Sequence, residues 1–529
     1  MKKITKVIAA ATALSAALGV CAYAAEDTIE DKVIAGYQAW FNTEGDGSPR
    51  NEWVHWGRPE VGHLTFDAYP DVRDYSVEDL KETYFAELGN GEKSKLFSSY
   101  RAGVIDKHFE MMHDYGIDGV AVQRFGSVTI NGVEERFKNS VDILKNVKAS
   151  AEKHNELFYV MYDISGLSEE NLVEDLKADW QQVILNDLDI TSSPSYAKDN
   201  GRPVVCLWGL GIREGTGEQY SELIDWFHDK GCYVIGGVSK SWRDQIAKDE
   251  AMEKAFCKLD MLSPWSVGSA KTDSDVDSDA SILAADKAYL DEKGIAYQPV
   301  MFPGFSWSNW KDNAVRNQIP RRAGDFMWRQ AYNIAKQDIH CGYIAMFDEY
   351  DEGTAILKLA EDSSMIPKDQ YFITASADGS YTSSDLYMRL AGYIPKVLRG
   401  EEEITEEMPL LLSEGPVYFR SGFEKYFDAQ PVDGNGELVK DELTYNGRYA
   451  LKLNRVGGGG EMLTKLSELD FSAEKINIGI SAYLAGGSAE LSVGLETADG
   501  DVLYSDLSFA NGKWTYNTLT DISVAGKNI

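Results

Sequence analysis

Two glutamates three residues apart, Glu349 and Glu352, follow directly on the apolar run Cys341–Phe347, within the stretch Asp348-Glu349-Tyr350-Asp351-Glu352-Gly353. Paired carboxyl groups suit glycosidic cleavage: one acid protonates the leaving oxygen, and a second carboxylate assists bond formation at or beside the anomeric carbon. A three-residue offset in a tight turn can aim both side chains into one cavity, where crowding raises each carboxyl pKa and keeps one protonated. The chain has 85 Asp and Glu against 52 Lys and Arg, so the same residues also fit a solvated acidic loop.

Sugar binding asks for aromatic faces against pyranose C–H groups and for polar groups that meet the hydroxyls. Both kinds gather where short apolar runs end: Tyr37, Gln38 and Trp40, then Gln123 and Arg124, then Tyr162 and Asp163, then Trp208, Trp265 and Trp307. His55 and Trp56, in the long segment after the first run, suggest a substrate wall. The candidate catalytic residues are therefore Glu349 and Glu352. The candidate substrate contacts are Tyr37, His55, Trp56, Gln123, Arg124, Asp163, Trp208, Trp265, Trp307 and Asp351. Arg124 reads equally as a sugar clamp or a rim salt bridge, and Asp163 as a sugar ligand or a helix cap. Neither a Gly-x-Ser-x-Gly elbow nor a His-Glu-x-x-His pair occurs. The Asp273–Asp279 run lacks the glycine of a calcium loop and reads as a solvated helix entry. No metal and no cofactor is expected.

Eight apolar, β-rich runs could position these residues: Val33–Phe41, Ile117–Phe125, Leu157–Ser165, Pro203–Leu210, Cys232–Val238, Leu259–Trp265, Tyr297–Phe302 and Cys341–Phe347. Most are separated by stretches with helical spacing. Strands that are continuously apolar and alternate with helices predict an α/β fold, a (β/α)8 TIM barrel over residues 25–400, with the strand ends converging on one rim. An open doubly wound sheet usually carries a glycine-rich phosphate loop after its first strand, and Gly36-Tyr37-Gln38-Ala39-Trp40 is no such loop. Residues 401–415 read as an acidic linker. Beyond it, 416–529 turns to period two, as in Ile476, Ile478 and Ile480, which predicts a smaller all-β sandwich. That domain is either a carbohydrate-binding module or a stabilising appendage.

Met1-Lys2-Lys3, an apolar run to Val20 and Ala22-Tyr23-Ala24 have the order of a signal peptide over residues 1–24, so a secreted or periplasmic protein is expected. No later stretch is apolar enough for membrane insertion. A net charge of −33 disfavours nucleic acid as a partner, whereas a neutral polysaccharide or oligosaccharide meets no such penalty. A monomer is expected. Cys206, Cys232, Cys257 and Cys341 form no metal-binding pattern and read as free thiols.

The segment Met346-Phe347-Asp348-Glu349-Tyr350-Asp351-Glu352-Gly353-Thr354 resembles the E-W-H-E-G-T element of glycoside hydrolase family 99, the endo-α-mannosidases and mannanases, and of its family 71-like relatives. Gly36–Phe41, Trp53-Val54-His55-Trp56 and Gly116–Phe125 look like a bacterial branch of the same superfamily, and the likeness covers most of residues 30–400. The resemblance implies that Glu349 deprotonates the sugar 2-hydroxyl, which attacks the neighbouring anomeric carbon. It further implies Glu352 as general acid/base, with net retention. The chain departs from the pattern at Tyr350, in place of Trp, and at Asp351, in place of His. The reading is thus a secreted glycoside hydrolase acting on a polysaccharide or glycan; Asp351 keeps open a non-catalytic glycan-binding protein with a degenerate barrel.

Overall fold

The computed structural model describes residues 28–58 and 63–413, with shorter segments between 433 and 524. The leader at 1–24, residues 414–415 of the acidic segment and the rest of 416–529 lie outside the described residues.

Eight strands, every neighbouring pair parallel, close into a barrel: β1 Val33–Tyr37, β2 Val120–Phe125, β3 Phe158–Asp163, β4 Arg202–Leu210, β5 Tyr233–Ser239, β6 Met261–Trp265, β7 in two halves, Ala296–Tyr297 and Val300–Met301, and β8 Gly342–Ile344. Closure occurs within β7. Its first half pairs with β6, Ala296 opposite Met261, and its second with β8, Val300 opposite Tyr343. The strands are buried on both faces, as their continuously apolar sequences require.

Helices wrap the outside: α1 Ala102–Tyr115, α2 Glu134–His154, α3 Leu172–Asp179, α4 Gly217–Asp229, α5 Glu250–Phe256, α6 Asp273–Lys293, α7 Asp325–Ala335 and α8 Leu386–Leu398. The Asp-rich run opens α6, where Thr272 and Asp275 exchange side-chain and backbone hydrogen bonds in a capping box. Cys206, Cys232 and Cys341 are buried, Cys257 is exposed, and none of the four is in a disulfide. No helix among the described residues is long and apolar enough to cross a membrane.

Alternation along the strands decides which side chains enter the barrel. A side chain at Gly36 would run into the Tyr343 hydroxyl and the Met346 side chain, so Gly36 faces inward. Tyr343 in turn reaches Met161 across the interior, Oη to Sδ 3.4 Å. Counting by twos, Gln38 and Asp163 are the next inward positions.

The long first loop folds into an annex with its own aromatic core. Trp56 stacks on Phe41 at 3.9 Å, and its Nε1 donates to Phe97 O at 2.9 Å. The annex is bonded to the chain beyond β8 through Tyr69 N to Ile373 O, 3.1 Å, and Ala360 N to Tyr69 O, 2.9 Å. The acidic segment does not hang free over its described part. Trp328 Nε1 donates to Thr405 O at 3.1 Å, Arg389 Nη1 to Leu411 O at 2.8 Å, and Ser383 N to Leu412 O at 2.9 Å. Beyond it the described strands pair antiparallel, Gly436–Lys440 with Tyr449–Leu453, Lys475–Tyr483 with Trp514–Ser523, and Leu491–Glu496 with Val502–Leu507, forming a small all-β domain.

Candidate active site

The chain leaving β8 turns back on itself: Thr354 N and Ala355 N both bond to Glu349 O, at 3.0 and 2.9 Å, and Gly353 takes a positive φ of 63°. Any Cβ at Gly353 would press on Ser306, whose N bonds to Glu352 O at 2.8 Å. Asp348 ties this turn to the end of β1, accepting from Gln38 N at 2.7 Å and Ala39 N at 2.8 Å. Burial pushes its pKa up to about 7, against the pull of those two donors. Tyr350 points the other way, into the annex core against Phe41 and Trp56.

Glu349 is 4% exposed. Its Oε2 accepts from Gln38 Nε2 at 2.8 Å, while Oε1 is buried without a partner. Burial first, then the charges of Asp351, Glu352 and Asp348, raise its pKa well above the usual carboxylate range. Glu352, half-buried beside it, is also raised by burial, but Lys311 and Arg213 oppose the shift. Asp351 is buried, and its Oδ2 lies 2.7 Å from His55 Nδ1. Burial first, then the charges of Glu352, Asp348 and Asp67, raise the Asp351 pKa well above its ordinary range. Burial, with Arg50 second, lowers the His55 pKa to about 3, so the imidazole is neutral. The ring stacks on Trp40, centroids 3.6 Å apart and planes at 7°.

Across the rim, Trp208 packs edge-on against Trp265 at 5.2 Å. Gly237 makes this possible, because a Cβ there would come 2.5 Å from the indole of Trp208. Asp163 lies level with Trp208 in the strand register. Its carboxylate accepts from Ser165 N at 2.8 Å, and burial raises its pKa. Gln123 reaches Met346 Sδ at 3.8 Å from the end of β2. Trp307 stands on the loop after β7, held by Asp67, whose carboxylate accepts from Ser306 Oγ at 2.6 Å, Ser308 N at 2.8 Å and Asn309 N at 2.7 Å. The rim collects orphaned buried polar atoms: Gln38 Oε1, Glu349 Oε1, Asp351 Oδ1, Trp40 Nε1 and Trp208 Nε1. Each such atom costs about 1–3 kcal/mol unless a polar ligand or water meets it.

Three expected substrate contacts lie elsewhere. Tyr37 is wholly buried on the outward side of β1, its hydroxyl 2.9 Å from His108 Nδ1, because only its neighbour Gln38 has the inward parity. Arg124 likewise points outward and makes a two-pronged ion pair with Asp179, Nε to Oδ2 2.6 Å and Nη2 to Oδ1 2.7 Å. Trp56 is core of the annex. Gln38, not singled out among the substrate contacts, was legible from strand alternation. Arg213 and Lys311 sit in loops whose sequence gives no such signal.

No family model and no curated protein matches the chain. Among solved structures it is similar to the GH99 endo-α-mannosidase from Bacteroides thetaiotaomicron in complex with bis-tris-propane, at 15% identity and a TM-score of 0.51, covering 71% of this chain and 99% of that one. A second structure of that enzyme gives 15% identity and 0.51 over 70% of this chain and 99% of that one. The chain thus has the barrel fold of a GH99 enzyme. That is the fold expected from the motif resemblance.

Proposed function

We propose that the protein is an exported glycosidase that hydrolyses O-glycosidic bonds of a polysaccharide or glycan with retention, using Glu349 and Glu352. One observation carries the reading: a buried glutamate with an unpartnered oxygen shares an aromatic-walled barrel rim with a second glutamate, close enough for the charge of Glu352 to raise the proton affinity of Glu349. Gln38 orients Glu349 by donating to one oxygen and leaves the other free for a sugar hydroxyl, and the raised pKa makes the carboxylate, once ionised, the stronger proton acceptor that a base requires. Glu352, half-buried with a raised pKa, suits the acid that protonates the leaving oxygen and then activates water. Both roles follow the family 99 resemblance. Trp208, Trp265 and Trp307 supply faces for pyranose rings, and Asp163 and Gln123 supply polar groups for hydroxyls.

The test is Glu352→Gln, compared with the parent for glycan binding and for reducing-sugar release across arrayed α-mannans, xylans and glucans. Loss of release with binding retained supports the enzyme. A parent that binds oligosaccharides and releases nothing leaves the glycan-binding reading instead.

A further inference from the structure

Beside Glu352 the local charge runs against the sign of the molecule. The chain carries a net charge of −33, and Asp348, Glu349 and Asp351 crowd the same turn. Yet the two side chains whose charges oppose the Glu352 shift are cations, Lys311 and Arg213, and neither stands in an ion pair among the described residues. Both lie over indoles instead. Lys311 Nζ is 4.0 Å from the Trp310 ring centre and 5.7 Å from that of Trp307, and Arg213 Cζ is 5.5 Å from Trp208. A cation over an aromatic face keeps its charge and stays available to a further anion.

A pocket of about 620 Å³ opens next to this group, lined by Lys271, Trp307, Lys311, Asn313 and Gln318 among others, with Asp312 its single acid against the two lysines. That volume is in the range of small-ligand sites, about 300–1,000 Å³. Lys271 also lacks an ion pair among the described residues; its charge acts on Asp275, in the first turn of α6, and is not among those that act on Glu352. Tuning of Glu352 would account for Lys311 and Arg213, but not for Lys271 or for the pocket that joins it to Lys311. A neutral glycan has no need of three cations that form no ion pair among the described residues. An anionic one does, because the acidic excess of the whole molecule repels it unless a local cluster reverses the sign.

We propose that the pocket beside Glu352 is a subsite for an anionic sugar, one bearing a carboxylate or a sulfate ester, read by Lys311 and Lys271 with Arg213 adding a third charge. The inference rests on the glycosidase reading and names its substrate class. Trp307 offers a face to the ring while the ammonium groups meet the acid substituent.

The experiment measures binding by affinity electrophoresis and reducing-sugar release, for the full chain and for Lys311→Gln, Lys271→Gln, Arg213→Gln and the double lysine variant. The probes are polygalacturonate, alginate and glucuronoxylan, each beside its carboxyl-reduced form, and sulfated galactans beside their desulfated forms. The parent is expected to prefer at least one charged probe over its neutralised form by about tenfold, with the preference shrinking as salt rises and shortens the screening length. Each single variant is expected to lower the preference by about threefold, the worth of one exposed charge contact, and the double variant to abolish it, with neutral glycans bound as before. Whichever pair of probes shows the preference separates carboxylate from sulfate. Equal affinity for charged and neutralised probes overturns the subsite, as does a preference that survives the double variant or variants that shift only the pH profile of hydrolysis. Release of sugar from neutral glycans alone sinks this inference and leaves the glycosidase reading standing; failure to bind or cleave any glycan sinks both.

Discussion

At the scale of single residues, the turn after β8 concentrates acids that would rather be neutral. Burial is the largest cause at Asp348, Glu349, Asp351 and Glu352 alike, and neighbouring carboxylates add to it at Glu349 and Asp351. Each of these groups has a folded pKa above its unfolded one, so the native protein holds protons that the unfolded chain has released. Their contribution to stability is therefore intact below the ordinary carboxylate range, about 4, and is lost as pH rises toward and through the folded values, near 7 for Asp348. Glu349→Gln removes one such group and retains the shape. Its melting temperature should exceed that of the parent at pH 7.5 by about 2 °C or more, with the gap closing by about pH 4.5, in a calorimetric pH series. A gap that does not change with pH would show that Glu349 ionises normally. The same variant should lose hydrolysis by about a hundredfold or more, the usual worth of a general acid or base. Stability gained where activity is lost is the mark of a functional acid rather than a structural one.

At the scale of elements, two buried carboxylates do different work, one at the rim and one behind the barrel wall. Asp67, reaching from the annex, gathers the backbone and hydroxyl groups of the loop that carries Trp307. Asp67→Ala should loosen that loop and raise KM several-fold with a smaller change in kcat, because the proposed function gives the loop a sugar-binding wall and the glutamates the chemistry. An equal fall in kcat and kcat/KM would place Asp67 closer to the reacting centre. Asp179 joins β2 to α2 and α3 through Arg124, with the Tyr162 hydroxyl as a further donor at 2.8 Å. Arg124→Met strands that buried carboxylate and should cost about 3–5 kcal/mol in denaturant unfolding. The folded fraction should keep its kcat, since the guanidinium faces away from the rim. Neighbouring residues on a strand serve opposite sides, which is why Gln123 and Arg124 divide into site and scaffold.

At the scale of the whole molecule, the acidic segment belongs to the barrel as far as it is described. A chain ended at 400 would strand Trp328 Nε1, Arg389 and Ser383, and should melt several degrees below one ended at 413, by differential scanning fluorimetry. Equal melting temperatures would show that those bonds add nothing. The boundary near 400 drawn from the Glu401-Glu402-Glu403 run marks a change of composition, whereas the contacts of Thr405, Leu411 and Leu412 are invisible to composition. Other features were legible in the residues alone. Eight continuously apolar runs, with helical spacing between most of them, encode a closed parallel barrel, because only burial on both faces accommodates such strands. The acid pair at the end of the last strand follows from the same reading, since barrel strand ends share one rim. What the order of residues could not convey was orientation and company. Tyr37 and Trp56 have the chemistry of sugar ligands but are spent in cores, because parity and the packing of a long insertion are set by distant chain. His55 meets Asp351 from nearly three hundred residues away, and the charges of Lys311 and Arg213 act on Glu352 from separate loops. Local sequence dictates which elements form, through periodicity and side-chain type; only the closed barrel brings their ends to one place and sets the burial and charge around each acid.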